Sequence, residues 1–203
     1  MKTYTISRVN GAPDWSAIPA VEIDQPHKGM HLTDTPVRAW AQLAHDDEAI
    51  YVHQWTTEPE IRAEYTGLLD EVCEDSCLEV YLCPVAGDER YFNIEYNPNG
   101  ARYLGLGSRI ENLVRLLPEE NNDNFDPIIT RTADGWEIFY RIPFAFIRRF
   151  FPEFFAASGT RVRGNFCKCG NFTATPHWLT WSPIAVQPLT FHYPPDFGTM
   201  IFE

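Results

Sequence analysis

Two neighbouring segments of the chain alternate polar and apolar residues at the two-residue period of a β-strand. Residues 74–82 read Glu-Asp-Ser-Cys-Leu-Glu-Val-Tyr-Leu, and residues 91–97 read Tyr-Phe-Asn-Ile-Glu-Tyr-Asn. If the two strands pair through the short segment 84–90, their outward side chains share one face of a sheet. That face would gather Glu79, Tyr81, Asn93 and Glu95.

These residue types suit the recognition of a polyhydroxylated ligand. Carboxylates and amides exchange hydrogen bonds with hydroxyl groups, and an aromatic ring offers an apolar platform for the C–H faces of a sugar. We therefore interpret the face as a candidate sugar-binding surface. The alternative is that it is simply the solvated side of an antiparallel sheet, which needs no function.

Two other functions, glycoside hydrolysis and zinc binding, are open to acidic, thiol and imidazole side chains of the chain. Glu79 and Glu95 could form the carboxylate pair of a glycosidase. Neither residue lies in an apolar run that would raise its pKa, so we favour the interpretation that both accept hydrogen bonds from a ligand.

Thiol and imidazole ligands for zinc could come from Cys167, Cys169, His177 and His192. Against zinc, Cys-x-Cys lacks the usual two-residue gap, and the two cysteines fit a strand face as small apolar side chains.

The composition limits the classes of protein and partner. A chain of 203 residues with 44% hydrophobic residues fits one domain, and we expect 1–203 to be a single unit with 1–35 as an N-terminal extension packed on it. The net charge of −12 disfavours nucleic acid. We expect no membrane partner, because no transmembrane span is visible. Oligomeric state stays open.

Cellular location is predicted from the cysteines and the amino terminus. Five cysteines, an odd number, without a visible signal peptide favour free thiols in a reducing compartment. We therefore expect a cytoplasmic protein, or a secreted one if the sequence has been trimmed of a leader.

Short extended segments separated by turn residues predict an all-β fold, a β-sandwich of two antiparallel sheets with one short helix. The helix is predicted over residues 144–155, where phenylalanines recur at helical spacing. An Asp-Gly hairpin is predicted at 133–135, a polar loop at 119–124 and a proline-rich tail at 183–202. The predicted strands are 36–44, 49–57, 77–83, 91–97, 101–106, 128–132, 135–142, 162–169 and 178–181, and residues 1–7 form a short strand-like segment.

The order of these motifs resembles that of the family 9 carbohydrate-binding modules, in particular the stand-alone CBM9-like proteins with a DOMON-type β-sandwich. The resemblance runs from about residue 37 to the carboxyl end. It is carried by residues 74–82, 91–100, 135–144, 163–166 (Arg-Gly-Asn-Phe), 181–183 (Trp-Ser-Pro) and 191–198 (Phe-His-Tyr-Pro-Pro-Asp-Phe-Gly).

The resemblance implies a β-sandwich that binds the end of a glucan or xylan chain without catalysis, in glycan catabolism. Glu79 matches a sugar-binding glutamate of the family, Asn93 and Glu95 match the alternate polar residues of the next strand, and Asn165 and Cys167 lie near a third set. Phe191 stands where the family has one of two sugar-stacking tryptophans, and Cys73 where it has the other. Calcium is allowed for, although the sequence assigns it no ligands.

The set of candidate ligand-binding residues is therefore Glu79, Tyr81, Asn93, Glu95, Asn165, Cys167 and Phe191. No catalytic residue is assigned, and the metal ligands are left unknown. Loss of one aromatic wall keeps two alternatives open. One is a glycoside hydrolase or a hydrolase-associated domain, and the other is a protein-interaction domain that has lost the sugar site. Tyr65, Trp55 or Trp178 could supply the second wall.

Overall fold

The computed structural model of the chain describes residues 2–26, 36–117, 125–186, 188 and 190–203. The strands in these residues are β1 (Thr3–Arg8), β2 (Val21–Glu22), β3 (Gln25–Pro26), β4 (Arg38–His45), β5 (Ala49–Thr57), β6 (Cys77–Cys83), β7 (Tyr91–Tyr96), β8 (Arg102–Gly107), β9 (Val114–Arg115), β10 (Ile128–Arg131), β11 (Gly135–Pro143), β12 (Arg161–Gly170), β13 (His177–Thr180) and β14 (Gly198–Phe202). One α-helix in the described part, α1, spans Phe144–Phe150, and 3-10 helices span Trp15–Ala17, Val72–Glu74, Ile110–Asn112 and Pro194–Asp196.

The strands form one continuous sheet that curls into two layers. The order is β10-β11-β5-β4-β1-β14-β12-β6-β7-β8-β9, with β2 paired to β4, β13 to β12 and β3 to β13. The first layer contains β10, β11, β5, β4 and β2, and the second contains β14, β12, β6, β7, β8 and β9 together with β13 and β3. The expected all-β sandwich with one short helix is confirmed.

Strand β1 joins the two layers. Residues Thr3–Ile6 pair in parallel with β14, and Ser7 and Arg8 pair in parallel with β4. The strand-like segment predicted at residues 1–7 is present as β1, and it is an integral strand of the sheet within the predicted N-terminal extension. Its alternating burial, with Tyr4 and Ile6 inside, fixes which face meets the core.

The main core lies between the layers. Inward residues of the first layer, such as Val52, Ile138 and Trp136, meet Val80 and Phe166 of the second. Helix α1 adds Phe146, which packs on Phe92 and Phe125 with ring centroids 5.1 and 5.0 Å apart. The helix ends at Phe150, not at residue 155, because Pro152 disfavours helical backbone in the residue before it.

An ion pair is enclosed in this core. Lys168 and Glu58 lie 3.2 Å apart with side chains 0% and 1% exposed. The Glu58 carboxylate also accepts hydrogen bonds from Trp136 Nε1 and the Ser76 hydroxyl, each at 3.0 Å. Burial of a charge is costly unless it is paired and hydrogen-bonded, and both conditions are met here.

The outer face of the first layer carries a row of stacked rings. Trp40 and Trp55 are cross-strand neighbours with centroids 5.6 Å apart, and His53 stacks between Trp55 and Phe139 at 4.6 and 4.1 Å. Trp55 therefore lies on the opposite layer from Glu79 and supplies no wall to the candidate sugar site.

The hairpin predicted at the Asp-Gly sequence is present as the β10–β11 pair. Gly135 is required there by close approach, since a Cβ on it would lie 1.8 Å from the carbonyl oxygen of Thr56. The predicted tail ends in a strand, β14, whose buried positions alternate. The polar loop predicted at 119–124 lies outside the described residues. Within the described ranges, no helix is long and apolar enough to cross a membrane.

Candidate functional site

The second layer has two faces, and the one directed away from the main core carries the predicted site. This face, called the covered face below, is formed by alternate residues of three adjacent strands. They are Cys77, Glu79, Tyr81 and Cys83 of β6, Tyr91, Asn93 and Glu95 of β7, and Arg163, Asn165, Cys167 and Cys169 of β12.

The register aligns these residues in rows across the strands. Tyr81 lies opposite both Asn165 and Asn93, and Glu79 lies opposite both Cys167 and Glu95. Six of the seven candidate residues therefore occupy two adjacent rows, as alternation predicted for β6 and β7. The covered face runs from Arg163 and Cys83 at one end to Cys169 and Cys77 at the other.

The face is shielded from solvent, so the alternative that it is simply the solvated side of an antiparallel sheet is wrong. Glu79, Asn93 and Glu95 are only 1%, 0% and 6% exposed. A second hydrophobic cluster lies over the sheet and encloses them. Its buried contributors from outside the three strands are Val72, Ala101, Ile184, Phe191 and Phe197.

Buried hydrogen bonds hold one part of this cover, the segment before β6. The Asp75 carboxylate accepts from the backbone N–H groups of Glu64 and Tyr65, each at 2.9 Å, and from Asn97 Nδ2 at 2.8 Å. Asp75 also pairs with Arg62. The Asp-Ser sequence before β6 thus has a structural role, which is to fasten residues 62–65 beside the site.

The polar centre of the face is incompletely satisfied. Asn93 Nδ2 lies 3.4 Å from Glu79 Oε2, while Asn93 Oδ1 is buried without a hydrogen-bond partner. Burial raises the pKa of Glu79, opposed by hydrogen bonds from Cys169, Tyr81 and Asn93 and by the charge of Lys168. Burial and then the charge of Glu79 raise the pKa of Glu95 well above its usual range.

These shifts correct the expectation that neither carboxyl would have a raised pKa. The two glutamates alternate with apolar residues in sequence, but the cover is built from segments far away in the chain. Their cross-strand pairing places two acids side by side in an apolar enclosure, where the charged form is disfavoured. A raised pKa alone does not make a catalytic pair.

Asn165 and Cys167 lie on the face as predicted, and the side-chain amide of Asn165 forms hydrogen bonds with the backbone of the protein itself. It donates to Ser182 O at 2.9 Å and accepts from Ser182 N at 2.8 Å and from Phe166 N at 3.0 Å. The carboxamide therefore fixes the segment that follows β13. Cys167 is fully buried, and desolvation raises its pKa well above the usual range.

Phe191 covers the face and contacts Trp178. Their ring centroids are 5.1 Å apart, and Phe191 also meets Tyr81 at 6.4 Å. A separation of 5.1 Å is direct ring contact, so no sugar ring fits between these two side chains in this conformation. Tyr65, the third candidate wall, packs on the same cluster and hydrogen-bonds Glu74.

The four zinc ligands considered from the sequence are not brought together. His177 hydrogen-bonds Thr175 O at 2.8 Å. On β13, Trp178 lies opposite Cys169, so the side chain of the adjacent residue His177 points to the other face of the sheet. His192 Nδ1 lies 2.9 Å from the Tyr91 hydroxyl. Cys167 and Cys169 share the buried face, as predicted. Among the described residues, one set of metal-ligating groups clusters instead: Cys77, Glu79 and Cys169.

A cavity of about 860 Å³ opens at the Arg163 end of the covered face. It is lined by charged residues, by the rings of His192 and Tyr193, and by prolines. The charged residues are Glu89, Arg109, Glu111 and Arg163. His192 joins the cavity to the face, because its ring also contacts Tyr81 with centroids 5.3 Å apart.

The sequence did not assign the lining residues of this cavity to the sugar site, although His192 was considered as a zinc ligand and Arg163 and Tyr193 lie in segments that carry the family resemblance. Arg109 precedes and Glu111 lies in the 3-10 helix after β8, and His192 and Tyr193 belong to the tail. No local period connects these segments. The one available signal was the run Phe-His-Tyr-Pro-Pro at 191–195, whose aromatic content is high for a tail.

Comparison with known proteins finds one matching family model and several solved structures with a similar fold. The family model of carbohydrate-binding family 9 matches residues 32–202. No curated protein matches the sequence. A crystal structure of a Bacteroides uniformis protein, to which carbohydrate binding has been ascribed, is similar with 28% identity and a TM-score of 0.80, covering 100% of this chain and 99% of that one.

Two further structures share the fold at lower identity. Both are family 9 carbohydrate-binding modules from Caldicellulosiruptor kristjanssonii, each 13% identical to this chain. The complex with cellotriose has a TM-score of 0.69 and covers 100% of this chain and 94% of that one. The complex with glucose has a TM-score of 0.66, with coverage of 100% and 96%.

Proposed function

Because the chain belongs to carbohydrate-binding family 9, we propose that it binds carbohydrate and leaves it chemically unchanged. The observation that carries the proposal is the cavity of about 860 Å³ beside the covered face. Small-molecule sites are typically concave, of roughly 300–1,000 Å³, with a few polar groups among apolar ones. The cavity has this size and this mixture.

The lining suits a sugar better than an ion or an apolar ligand. Arg109 and Arg163 donate hydrogen bonds, Glu89 and Glu111 accept them, and sugar hydroxyls do both. Opposite charges balance, so no charged ligand is favoured. The Tyr193 ring and the neighbouring prolines supply apolar surface for C–H groups.

The covered face would be the deeper part of the site. His192 and Arg163 belong to the cavity, and they adjoin Tyr91, Tyr81 and Asn165 of the face. We propose that a sugar end displaces the Phe191 ring and reaches the polar centre of the face. The residues engaged would be those predicted from the sequence, namely Glu79, Tyr81, Asn93, Glu95, Asn165, Cys167 and Phe191.

The proposed ligand class is a mono- or oligosaccharide derived from glucan, with xylan products second. Support comes from the relatives of the same fold that were solved with cellotriose and with glucose. One aromatic wall instead of two predicts weak binding, with a Kd on the order of 0.1–10 mM.

Isothermal titration with glucose, cellotriose and a xylan oligosaccharide tests the proposal. Glu111→Gln and Arg163→Met should each weaken binding by about 10- to 150-fold, the effect of one lost hydrogen bond to a charged group. Arg8→Ala is the matched control, since Arg8 forms an exposed ion pair with Asp47 away from the cavity. Equal affinity in all three variants would place the ligand elsewhere.

The absence of catalysis is tested separately. Incubation with cellotriose should release no glucose, and Glu79→Gln should not change this result. Turnover by the wild-type protein that Glu79→Gln abolishes would instead support the carboxylate pair of a glycosidase.

Two expectations from the sequence remain proposals. Calcium is proposed to stabilise the fold, and a melting temperature that does not change between calcium and chelator would reject it. A reducing compartment is proposed as the setting, because five described cysteines carry free thiols. Fractionation of the source cells tests the location.

A further inference from the structure

The end of the covered face away from the cavity carries two thiols and a carboxylate in close contact. One ligand atom each of Cys77, Glu79 and Cys169 lies within 4.8 Å of the other two. The backbone fixes this arrangement, because Cys169 lies opposite Cys77 across β12 and β6 and Glu79 is the next residue on the same face. All three residues are at most 1% exposed.

Neighbouring polar groups complete the surroundings of this cluster. Glu95 Oε2 lies 3.8 Å from Cys77 Sγ, so a second carboxylate is within reach. Asn93 Nδ2 lies 3.4 Å from Glu79 Oε2, and the Asn93 Oδ1 atom is buried without a partner. An orphaned oxygen beside two acids and two thiols is a costly arrangement for the protein alone.

Thiolates with a carboxylate are a ligand set for zinc. Zinc binds thiolate sulfur at about 2.3 Å and carboxylate oxygen at about 2.0–2.2 Å in tetrahedral sites. Two sulfurs on one such ion lie about 3.8 Å apart, so the observed separations need only small side-chain movements. Asn93 would hold the free oxygen of Glu79, the role that an outer-shell partner has in metal sites.

We propose that Cys77, Glu79 and Cys169 bind a zinc ion, with Glu95 as the fourth ligand. The site would tie β12 to β6 beneath the 3-10 helix at Val72–Glu74. Another cysteine of the same sheet, Cys83, offers a contrast. Cys83 is also buried and lies on the same face of β6, but at the cavity end opposite Arg163, away from the cluster.

The proposed zinc site shares Glu79 and Glu95 with the proposed sugar-binding residues, whereas Cys77 and Cys169 belong to the zinc site alone. The two proposals are therefore separated by their readouts and by the cysteine variants. Binding of the metal is read by absorption, which no sugar produces. Loss of sugar binding with an intact metal signal would reject only the proposed function, and the reverse result would reject only the zinc site.

Cobalt is the probe for the experiment. The full-length protein is refolded under reducing conditions with Co²⁺, which opens the buried site to the ion, and titrated spectroscopically. We expect thiolate-to-cobalt absorption in the near ultraviolet that saturates at about one equivalent, as for tetrahedral sulfur sites. The zinc content of untagged protein, purified without chelator, should also be about one per chain.

Variants assign the ligands. Cys77→Ala and Cys169→Ala should each lose the sulfur absorption of one ligand and bind at least 10-fold more weakly, and Glu79→Gln should weaken binding while keeping the sulfur bands. Cys83→Ala should leave the spectrum unchanged. Circular dichroism checks the fold of each variant, and Cys→Ser replaces any alanine variant that fails to fold.

Two results would overturn the proposal, one from the wild-type protein and one from the variants. A folded wild-type protein without a thiolate–cobalt band, and without zinc as purified, would overturn it. Bands that persist unchanged in both Cys77→Ala and Cys169→Ala would also overturn it, because the sulfur would then come from other cysteines.

Discussion

Lys168 and Glu58 form an ion pair 3.2 Å long inside the sandwich, with side chains 0% and 1% exposed. Removal of the ammonium leaves the carboxylate buried and uncompensated. Lys168→Met is therefore expected to lower the free energy of unfolding by about 3–5 kcal/mol. Urea denaturation monitored by tryptophan fluorescence measures the change. Lys2→Met, which removes an exposed ion pair with Asp24, is the control and should cost less than about 1 kcal/mol. Equal losses of unfolding free energy in Lys168→Met and Lys2→Met would contradict the prediction that breaking the buried ion pair is strongly destabilising.

The Asp75 carboxylate is expected to hold the segment that flanks the site. Asp75→Asn keeps the shape but loses acceptor capacity for two backbone N–H groups and for Asn97. We expect a loss of about 2–4 kcal/mol in stability and faster hydrogen exchange at the amides of Glu64 and Tyr65. Asp88→Asn, in a half-buried turn pair with Arg90, is the control. Unchanged exchange at both amides would contradict this role.

Stability below neutral pH should depend on His192. Burial lowers its pKa to about 4, partly offset by the charge of Glu111. The unfolded chain, with a histidine pKa of about 6.5, then binds more protons than the folded protein between these values. The His192 contribution is therefore complete above pH 6.5 and is lost as the pH falls towards 4, by up to roughly 3 kcal/mol.

A variant isolates that contribution. His192→Asn should lose less stability than the wild type between pH 7 and pH 4.5, because it has no imidazole to protonate. The raised pKa values of Glu79 and Glu95 act in the opposite sense in both proteins and cancel in the comparison. An equal loss of unfolding free energy in the two proteins between pH 7 and pH 4.5 would contradict the lowered pKa of His192.

Strand alternation was enough to predict the rows of the site. The side chains of β6 and β7 alternate, so Glu79, Asn93 and Glu95 could be placed on one face without a structure. Alternation could not predict the cover, because Phe191 and Phe197 reach the face from a tail more than 90 residues away; the family resemblance alone placed Phe191 at the site. The same distance hid the meeting of Cys77 with Cys169.

The remaining differences also have physical causes. Strand β1 pairs only in parallel, and parallel pairing leaves no hairpin signal in the sequence. Strand β14 follows a proline-rich stretch that favours a tail. The pairing of Lys168 with Glu58 was hidden because a lysine between two cysteines looks like a surface residue, whereas its strand turns that side chain into the core.

The most direct test of carbohydrate binding is a heteronuclear NMR titration of the labelled protein with cellotriose to about 10 mM, a concentration that covers weak sites. Carbohydrate binding at the proposed site should produce saturable shifts confined to amides around the cavity and the covered face, with the largest near Arg109, His192 and Tyr193. An unchanged spectrum with cellotriose, glucose and xylan oligosaccharides would contradict it. Shifts confined to the outer ring stack at Trp40 and Trp55 would contradict the location.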